Sequence, residues 1–165
     1  MAGILPFSKV IKNNKQLVYF LFSRETLDQK SPIRGKWSDF GGGKENNETK
    51  LQTAAREGFE ESYGVFGSPA ILKQKIQKSN ITFTTGSYKT HLIEVPYDPN
   101  LPKHLENFYR FMKHEKKELI NQDGLFEKDK FKWIEINDLN NHFPIFRPWY
   151  KDIVKKIIKN KNTFY

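Results

Sequence analysis

The chain has 165 residues, a length typical of one domain with a buried core, and 37% of them are hydrophobic. It contains no cysteine, which excludes disulfides, thiolate metal sites and cysteine nucleophiles. The net charge of +9 favours an anionic partner, such as nucleic acid or a polyphosphate compound. The lysines are spread along the whole chain, and an AT-biased coding sequence would explain that charge equally well.

The N-terminal segment MAGILPFSKV has no charged region followed by an apolar run, so we expect no signal peptide. The longest apolar run, LVYFLF at residues 17–22, is too short to cross a lipid bilayer. These features predict a cytoplasmic protein, with the nucleus as the alternative, and no membrane partner.

Two strands are predicted near the N-terminus, at residues 2–6 and 16–24. The second is nearly continuous in apolar and aromatic residues, which indicates a strand buried on both faces. A polar loop then leads into the sequence WSDF and three consecutive glycines, and a helix is predicted over residues 50–62.

Strands and helices are both predicted after this helix. Apolar runs predict strands at 70–77, 81–85 and 88–95, the last two joined by a turn at Gly86 and Ser87. The sequence then predicts a helix near 104–120, a strand at 131–136 and an amphipathic helix at 148–159. Mixed strands with few helices are typical of an α+β or a layered α/β/α domain.

Both ends of the helix over residues 50–62 carry a signal. Thr49 followed three residues later by Gln52 fits a capping box, in which each side chain bonds the other residue's backbone N–H. Gly64 fits a C-terminal stop, because glycine readily adopts the left-handed conformation that ends helices.

Three carboxylates, those of Glu57, Glu60 and Glu61, span roughly a 100° arc of this helix. Like charges at this spacing repel, and the internal Gly58 costs about 1 kcal/mol relative to alanine. A bound Mg²⁺ or Mn²⁺ ion would relieve that repulsion, because hard cations prefer oxygen ligands. The glycine-rich loop upstream offers backbone N–H groups to a phosphate. Carboxylates, a divalent metal and a phosphate site together indicate metal-assisted phosphoryl chemistry. A solvated acidic surface is the alternative, and it is the commoner meaning of three glutamates alone.

The spacing of the fixed residues in GGGKENNETKLQTAAREGFEESYGV resembles the Nudix box, G-x5-E-x7-R-E-U-x-E-E-x-G-U, where U is a bulky apolar residue. Six fixed positions match at the required spacing: Gly42, Glu48, Arg56, Glu57, Glu60 and Glu61. Two positions depart from the box. The final glycine comes one residue late, at Gly64, and Gly58 stands where a bulky residue is expected, so that Phe59 is expected to supply part of the missing packing.

The resemblance implies a single α/β/α Nudix domain over residues 1–165 that hydrolyses a nucleoside diphosphate linked to another group. It implies that Glu57, Glu60 and Glu61 bind Mg²⁺, and that Arg56 orients these carboxylates. By the same resemblance, Glu48 pairs with Arg56 or lies in the outer shell, Gly42 and Gly43 shape the substrate loop, and Gly64 closes the helix.

Relatives often carry a further acid outside the box, as a base or an extra metal ligand. Glu127, six residues before Trp133, is the first candidate, and Glu118 is the second. The alternative for Glu127 is a surface carboxylate in the charged run EKDK. Many relatives are homodimers, although no stretch of this sequence identifies an interface.

The box does not specify which nucleotide derivative is cleaved. The basic charge, with aromatic residues such as Phe108 and Tyr109, would suit capped RNA and hence mRNA decapping. The alternative is that these aromatic residues pack in the core. Two other classes of protein remain open: a Nudix fold that has lost catalysis, and a basic RNA-binding domain without chemistry.

Overall fold

The computed structural model describes residues 1–28, 30–120 and 125–165. Within these residues seven strands form one mixed sheet in the order β3-β2-β1-β6-β5, with β4 also paired to β1 and β7 to β2. Strands β1 and β6 run parallel, and the other pairs of described strands are antiparallel. The strands are β1 (Ala2–Lys12), β2 (Lys15–Glu25), β3 (Trp37–Ser38), β4 (Phe40–Gly42), β5 (Thr82–Thr85), β6 (Tyr88–Glu94) and β7 (Lys128–Glu135).

Helices cover both faces of the sheet, and two buried clusters separate the layers. One cluster joins the sheet to α1, α2 and α3, and the other joins it to α4. Strand β2 contributes to both, with Leu21 on one face and Phe20 and Phe22 on the other, as its apolar sequence predicts. The predicted layered α/β/α fold is therefore confirmed. The helices are α1 (Lys50–Glu61), α2 (Pro69–Ser79), α3 (Leu101–Glu115) and α4 (Lys151–Lys159).

Helix α1 begins as the sequence predicts. The Thr49 hydroxyl accepts a hydrogen bond from the Gln52 N–H at 3.2 Å, and the Gln52 side chain accepts one from the Thr49 N–H at 2.7 Å. This capping box fixes the first turn of the helix, which follows directly from the glycine-rich strand β4.

The strand predicted at residues 70–77 is wrong, because this segment forms helix α2. Ser68 caps its first turn by accepting from the Ile71 N–H at 3.4 Å, and Pro69 occupies the first helical position. Leu72 and Ile76, four residues apart, are the buried side chains of this helix. Their helical spacing and the Ser-Pro start outweigh the apolar run that predicted a strand.

Gly64 adopts the left-handed conformation predicted for the stop of α1, and its N–H donates to the Phe59 carbonyl at 2.8 Å. Tyr63 and Gly64 both have positive φ angles, 56° and 73°, so the left-handed turn begins at a tyrosine one residue before the glycine. Gly58 lies against Ile4 of β1, where an added Cβ would be 2.5 Å from the Ile4 Cδ1 atom. Ile4 rather than Phe59 fills the space of the missing bulky residue, since Phe59 is 39% exposed.

In the part of the chain that the structure describes, no helix has the length and apolar character needed to span a membrane.

Candidate active site

A pocket of about 260 Å³ lies where the glycine-rich loop meets α1. Gly42 belongs there for a steric reason, because a Cβ at this position would lie 2.5 Å from the Glu57 Oε1 atom. Glu127 reaches the same pocket from the start of β7, although 70 positions separate it from Glu57 in the chain. We call it the Gly42 pocket, and it is lined by Gly42, Gly43, Lys44, Glu45, Arg56, Glu57 and Glu127.

Arg56 organises one side of this pocket. Its Nε donates to Glu48 Oε1 at 3.0 Å, and its Nη1 donates to Glu60 Oε2 at 3.0 Å. Its Nη2 donates to the Gly43 carbonyl at 2.8 Å and also lies 3.0 Å from Glu57 Oε1. Arg56 therefore holds three carboxylates and the backbone of the glycine loop at once, which fixes the geometry of the pocket wall.

The carboxyl groups in and around the pocket have shifted pKa values. Burial raises the pKa of Glu57 to about 7 against the opposing effect of Arg56, and the nearby Glu60 and Glu127 add to the rise. Burial also raises the pKa of Glu127, opposed by Lys128. By contrast, hydrogen bonds from Arg56 lower the pKa of Glu48 to about 2. Glu57 and Glu127 are thus carboxyls of the pocket whose charged form burial disfavours.

Glu61 points into the protein instead of the pocket. It is 1% exposed, its Oε2 accepts from the Gly41 N–H at 2.6 Å, and its Oε1 lies 3.1 Å from the Lys128 Nζ. The fully buried Lys128 also pairs with Glu25, and Arg147 pairs with Glu25 as well. Two buried carboxylates and two buried cations therefore form one charge network directly beneath the glycine loop.

The three carboxylates that the sequence places on one arc of α1 take three directions. Glu57 faces the Gly42 pocket, Glu60 faces Arg56, and Glu61 faces Lys128. Among the described residues, no three acidic or histidine side chains already converge on a common point. The donors at the pocket are nevertheless hard carboxylate oxygens, and the charges of Glu60 and Glu127 raise the pKa of Glu57; this donor chemistry fits Mg²⁺ or Mn²⁺. Glu118 is exposed and does not line the pocket.

Sequence reasoning missed Lys44 and Lys128. Lys44 brings a positive charge to the wall of the pocket, and the glycine loop preceding it was the signal that could have drawn attention to it. Lys128 had no such signal, because it stands in the run EKDK, which has the composition of a solvated surface. Lys128 is nevertheless completely buried, and Glu127, for which a surface carboxylate was the alternative, is half-buried and lines the pocket.

Aromatic residues pack beside this site rather than forming an open platform. Tyr109 is 4% exposed, so it belongs to the core, as the alternative for these residues stated. Phe108 is 42% exposed and packs on Tyr63, with ring centroids 5.3 Å apart. The Tyr63 hydroxyl donates to the Lys128 carbonyl, which ties the end of α1 to the start of β7.

The sequence matches no protein-family model and no curated protein. In structure, the chain is similar to a Nudix hydrolase from M. smegmatis, RenU, at 13% identity and a TM-score of 0.55, covering 98% of this chain and 85% of that one. It is also similar to a C. elegans Ap4A hydrolase solved as a binary complex, at 17% identity and a TM-score of 0.52, covering 99% of this chain and 94% of that one. The chain therefore has a Nudix-like fold.

Proposed function

We propose that the whole chain, residues 1–165, is one Nudix hydrolase domain that cleaves a phosphoric anhydride in a nucleoside diphosphate derivative with the help of Mg²⁺. The observation that carries this proposal is the Gly42 pocket itself. In a Nudix-like fold, the glycine loop, Arg56 and Glu57 of the box line one pocket together with Glu127, the residue that precedes β7. A surface helix with solvated carboxylates would not need Gly42 pressed against Glu57 or three carboxylates held by one arginine.

Glu57 and Glu127 would bind the metal ion, because their carboxyls line the pocket and a cation would stabilise the charged form that burial disfavours. Glu60 and Glu61 would join them only by exchanging Arg56 and Lys128 for the metal. A bound Mg²⁺ supplies a Lewis acid and a water of lowered pKa. Arg56 and Glu48 would keep the carboxylates in place, while Lys44 and the backbone of Gly42 and Gly43 would position the substrate phosphates.

The first experiment measures phosphate-product release from four substrates: capped RNA, ADP-ribose, a dinucleoside polyphosphate and a nucleoside triphosphate. Each is incubated with the wild type and with Glu57→Gln, in millimolar Mg²⁺, in Mn²⁺ and in EDTA. Glu115→Gln, which removes an exposed carboxylate at the end of α3, is the matched control. We expect the wild type and the control to cleave one class of substrate in Mg²⁺, and Glu57→Gln to lose at least about 100-fold in rate.

Two further variants test which acid outside the box, Glu127 or Glu118, takes part in the reaction. Glu127→Gln should reduce the rate as strongly as Glu57→Gln, whereas Glu118→Gln should leave it unchanged. If no substrate is cleaved by the wild type in either metal, the fold has lost catalysis and the proposal is wrong. Cleavage of capped RNA alone would make the protein a decapping enzyme, which is the finer prediction that the basic charge favours.

A further inference from the structure

A larger cavity, of about 660 Å³, lies away from the Gly42 pocket. Strand β1 relates the two sites, because Ala2 pairs with Gly42 while Lys9, seven residues further along, lines the cavity. Seven residues of strand extend about 23 Å, which places the cavity near the opposite end of the sheet. Its volume lies within the range of ligand-binding pockets, about 300–1,000 Å³.

The charge of the cavity is positive. Lys9 of β1 and Lys75 and Lys78 of α2 line it, and Glu94 is the one acidic side chain among the described residues that do so. Lys9 and Lys78 are exposed. The Lys75 Nζ donates to the Phe66 carbonyl at 2.9 Å, which uses one of its three N–H groups and leaves the others available. A cavity lined by three lysines fits a ligand that carries phosphate groups.

An aromatic cluster borders the same cavity. Tyr97, which lines it, packs against Tyr19 with ring centroids 4.8 Å apart and against Trp133 at 5.3 Å. The Trp133 Nε1 donates to the Asp98 carbonyl at 2.8 Å, which fixes the indole ring. All three rings remain partly exposed. A basic cavity beside partly exposed aromatic rings resembles the sites that bind single-stranded nucleic acid, where lysines follow the phosphates and rings contact the bases.

We propose that this cavity is a binding site for single-stranded nucleic acid, distinct from the Gly42 pocket. Lys9, Lys75 and Lys78 contact the phosphate backbone, and the aromatic cluster of Tyr19, Tyr97 and Trp133 contacts a base. Binding at this site requires neither a metal ion nor hydrolysis. An experiment that finds no nucleic-acid binding at this cavity therefore leaves the proposed hydrolase function untouched, and loss of hydrolysis leaves the binding site untouched.

The first test measures fluorescence anisotropy of a labelled single-stranded RNA of about 12 nucleotides, within the site size of such proteins, in EDTA. The double variant Lys9→Gln/Lys78→Gln should bind roughly 10-fold more weakly than the wild type. The plot of log K against log salt should also become less steep, with the magnitude of its slope reduced by about 1.4. This is the value for two lost phosphate contacts with a single strand. The control Lys116→Gln/Lys117→Gln removes the same charge from exposed residues beyond α3 and should change affinity less than about 2-fold.

The second test isolates the base contact. An abasic strand of the same length should bind the wild type more weakly than the RNA, and Tyr97→Leu should remove most of that difference while keeping an apolar side chain. A single-stranded DNA of the same sequence and a mononucleotide identify which form of nucleotide the cavity prefers. Equal loss of affinity in the cavity variant and its control would overturn the proposal. So would the absence of wild-type binding at about 100 µM protein, the weak end of non-specific binding.

Discussion

Replacing Glu57 by glutamine should stabilise the metal-free protein at alkaline pH. Burial raises the pKa of Glu57 to about 7 against the effect of Arg56, compared with the ordinary value of 4.5. The folded protein therefore holds this proton more tightly than the unfolded chain, and ionisation of Glu57 costs the folded state free energy. The difference between the two pKa values corresponds to about 3 kcal/mol. Glutamine has nearly the same shape and does not ionise, so the variant avoids this cost.

The pH dependence has a definite sign. The stabilising contribution of protonated Glu57 is complete below pH 4.5 and is lost as the pH rises through about 7. Urea unfolding in EDTA should give similar stabilities for the wild type and Glu57→Gln at about pH 4, and a variant about 3 kcal/mol more stable at about pH 8. Glu115→Gln should show no such divergence. A Glu57→Gln protein that is less stable than the wild type at the higher pH would refute the reasoning, because the ion pair with Arg56 would then outweigh burial.

Three further predictions concern the residues that hold the site together. Lys128→Met should lower the free energy of unfolding by about 3–5 kcal/mol in urea titrations, because it leaves the buried Glu61 without a cation and Glu25 with Arg147 alone, and a loss under about 1 kcal/mol would contradict this. Tyr63→Gly should be about 1 kcal/mol more stable than Tyr63→Ala and should unfold at a higher temperature, since glycine adopts a positive φ without strain. Equal melting temperatures of the two variants would show that residue 63 is not strained. Gly58→Ala should destabilise the protein by about 1–3 kcal/mol in the same urea assay despite its higher helix propensity, and a second change, Ile4→Val, should restore part of the loss. If Ile4→Val restores none of the lost stability, crowding of the new Cβ against Ile4 is not the cause of the destabilisation.

The features that the sequence predicted correctly rest on short-range physics. The capping box of Thr49 and Gln52 depends on residues three apart, so it could be predicted without any knowledge of the fold. The burial of β2 on both faces followed from its continuous apolar sequence. The strand predicted at 70–77 failed for the converse reason, because a short apolar run fits a strand or a helix, and the Ser68 cap and the burial of Leu72 and Ile76 favoured the helix.

The directions of the acidic side chains could not be read from their spacing. Spacing places Glu57, Glu60 and Glu61 on neighbouring parts of α1, but each carboxylate turns toward whichever partner the surrounding fold supplies. For Glu60 that partner is Arg56, four residues away on the same helix. For Glu61 it is Lys128, which lies 67 positions along the chain and is brought in by β7.

Local spacing and residue chemistry are visible in the sequence by itself. They determined helix α1, its starting cap, the layered α/β/α class and the presence of carboxylates suited to a hard cation. Only the tertiary structure decided that Glu127 meets Glu57 in one pocket and that Lys128 is a buried counter-ion instead of a surface charge. The physical reason is that burial and long-range pairing are set by how β7 packs beside β2 and the end of α1. A lysine in a charged run carries no local mark of either.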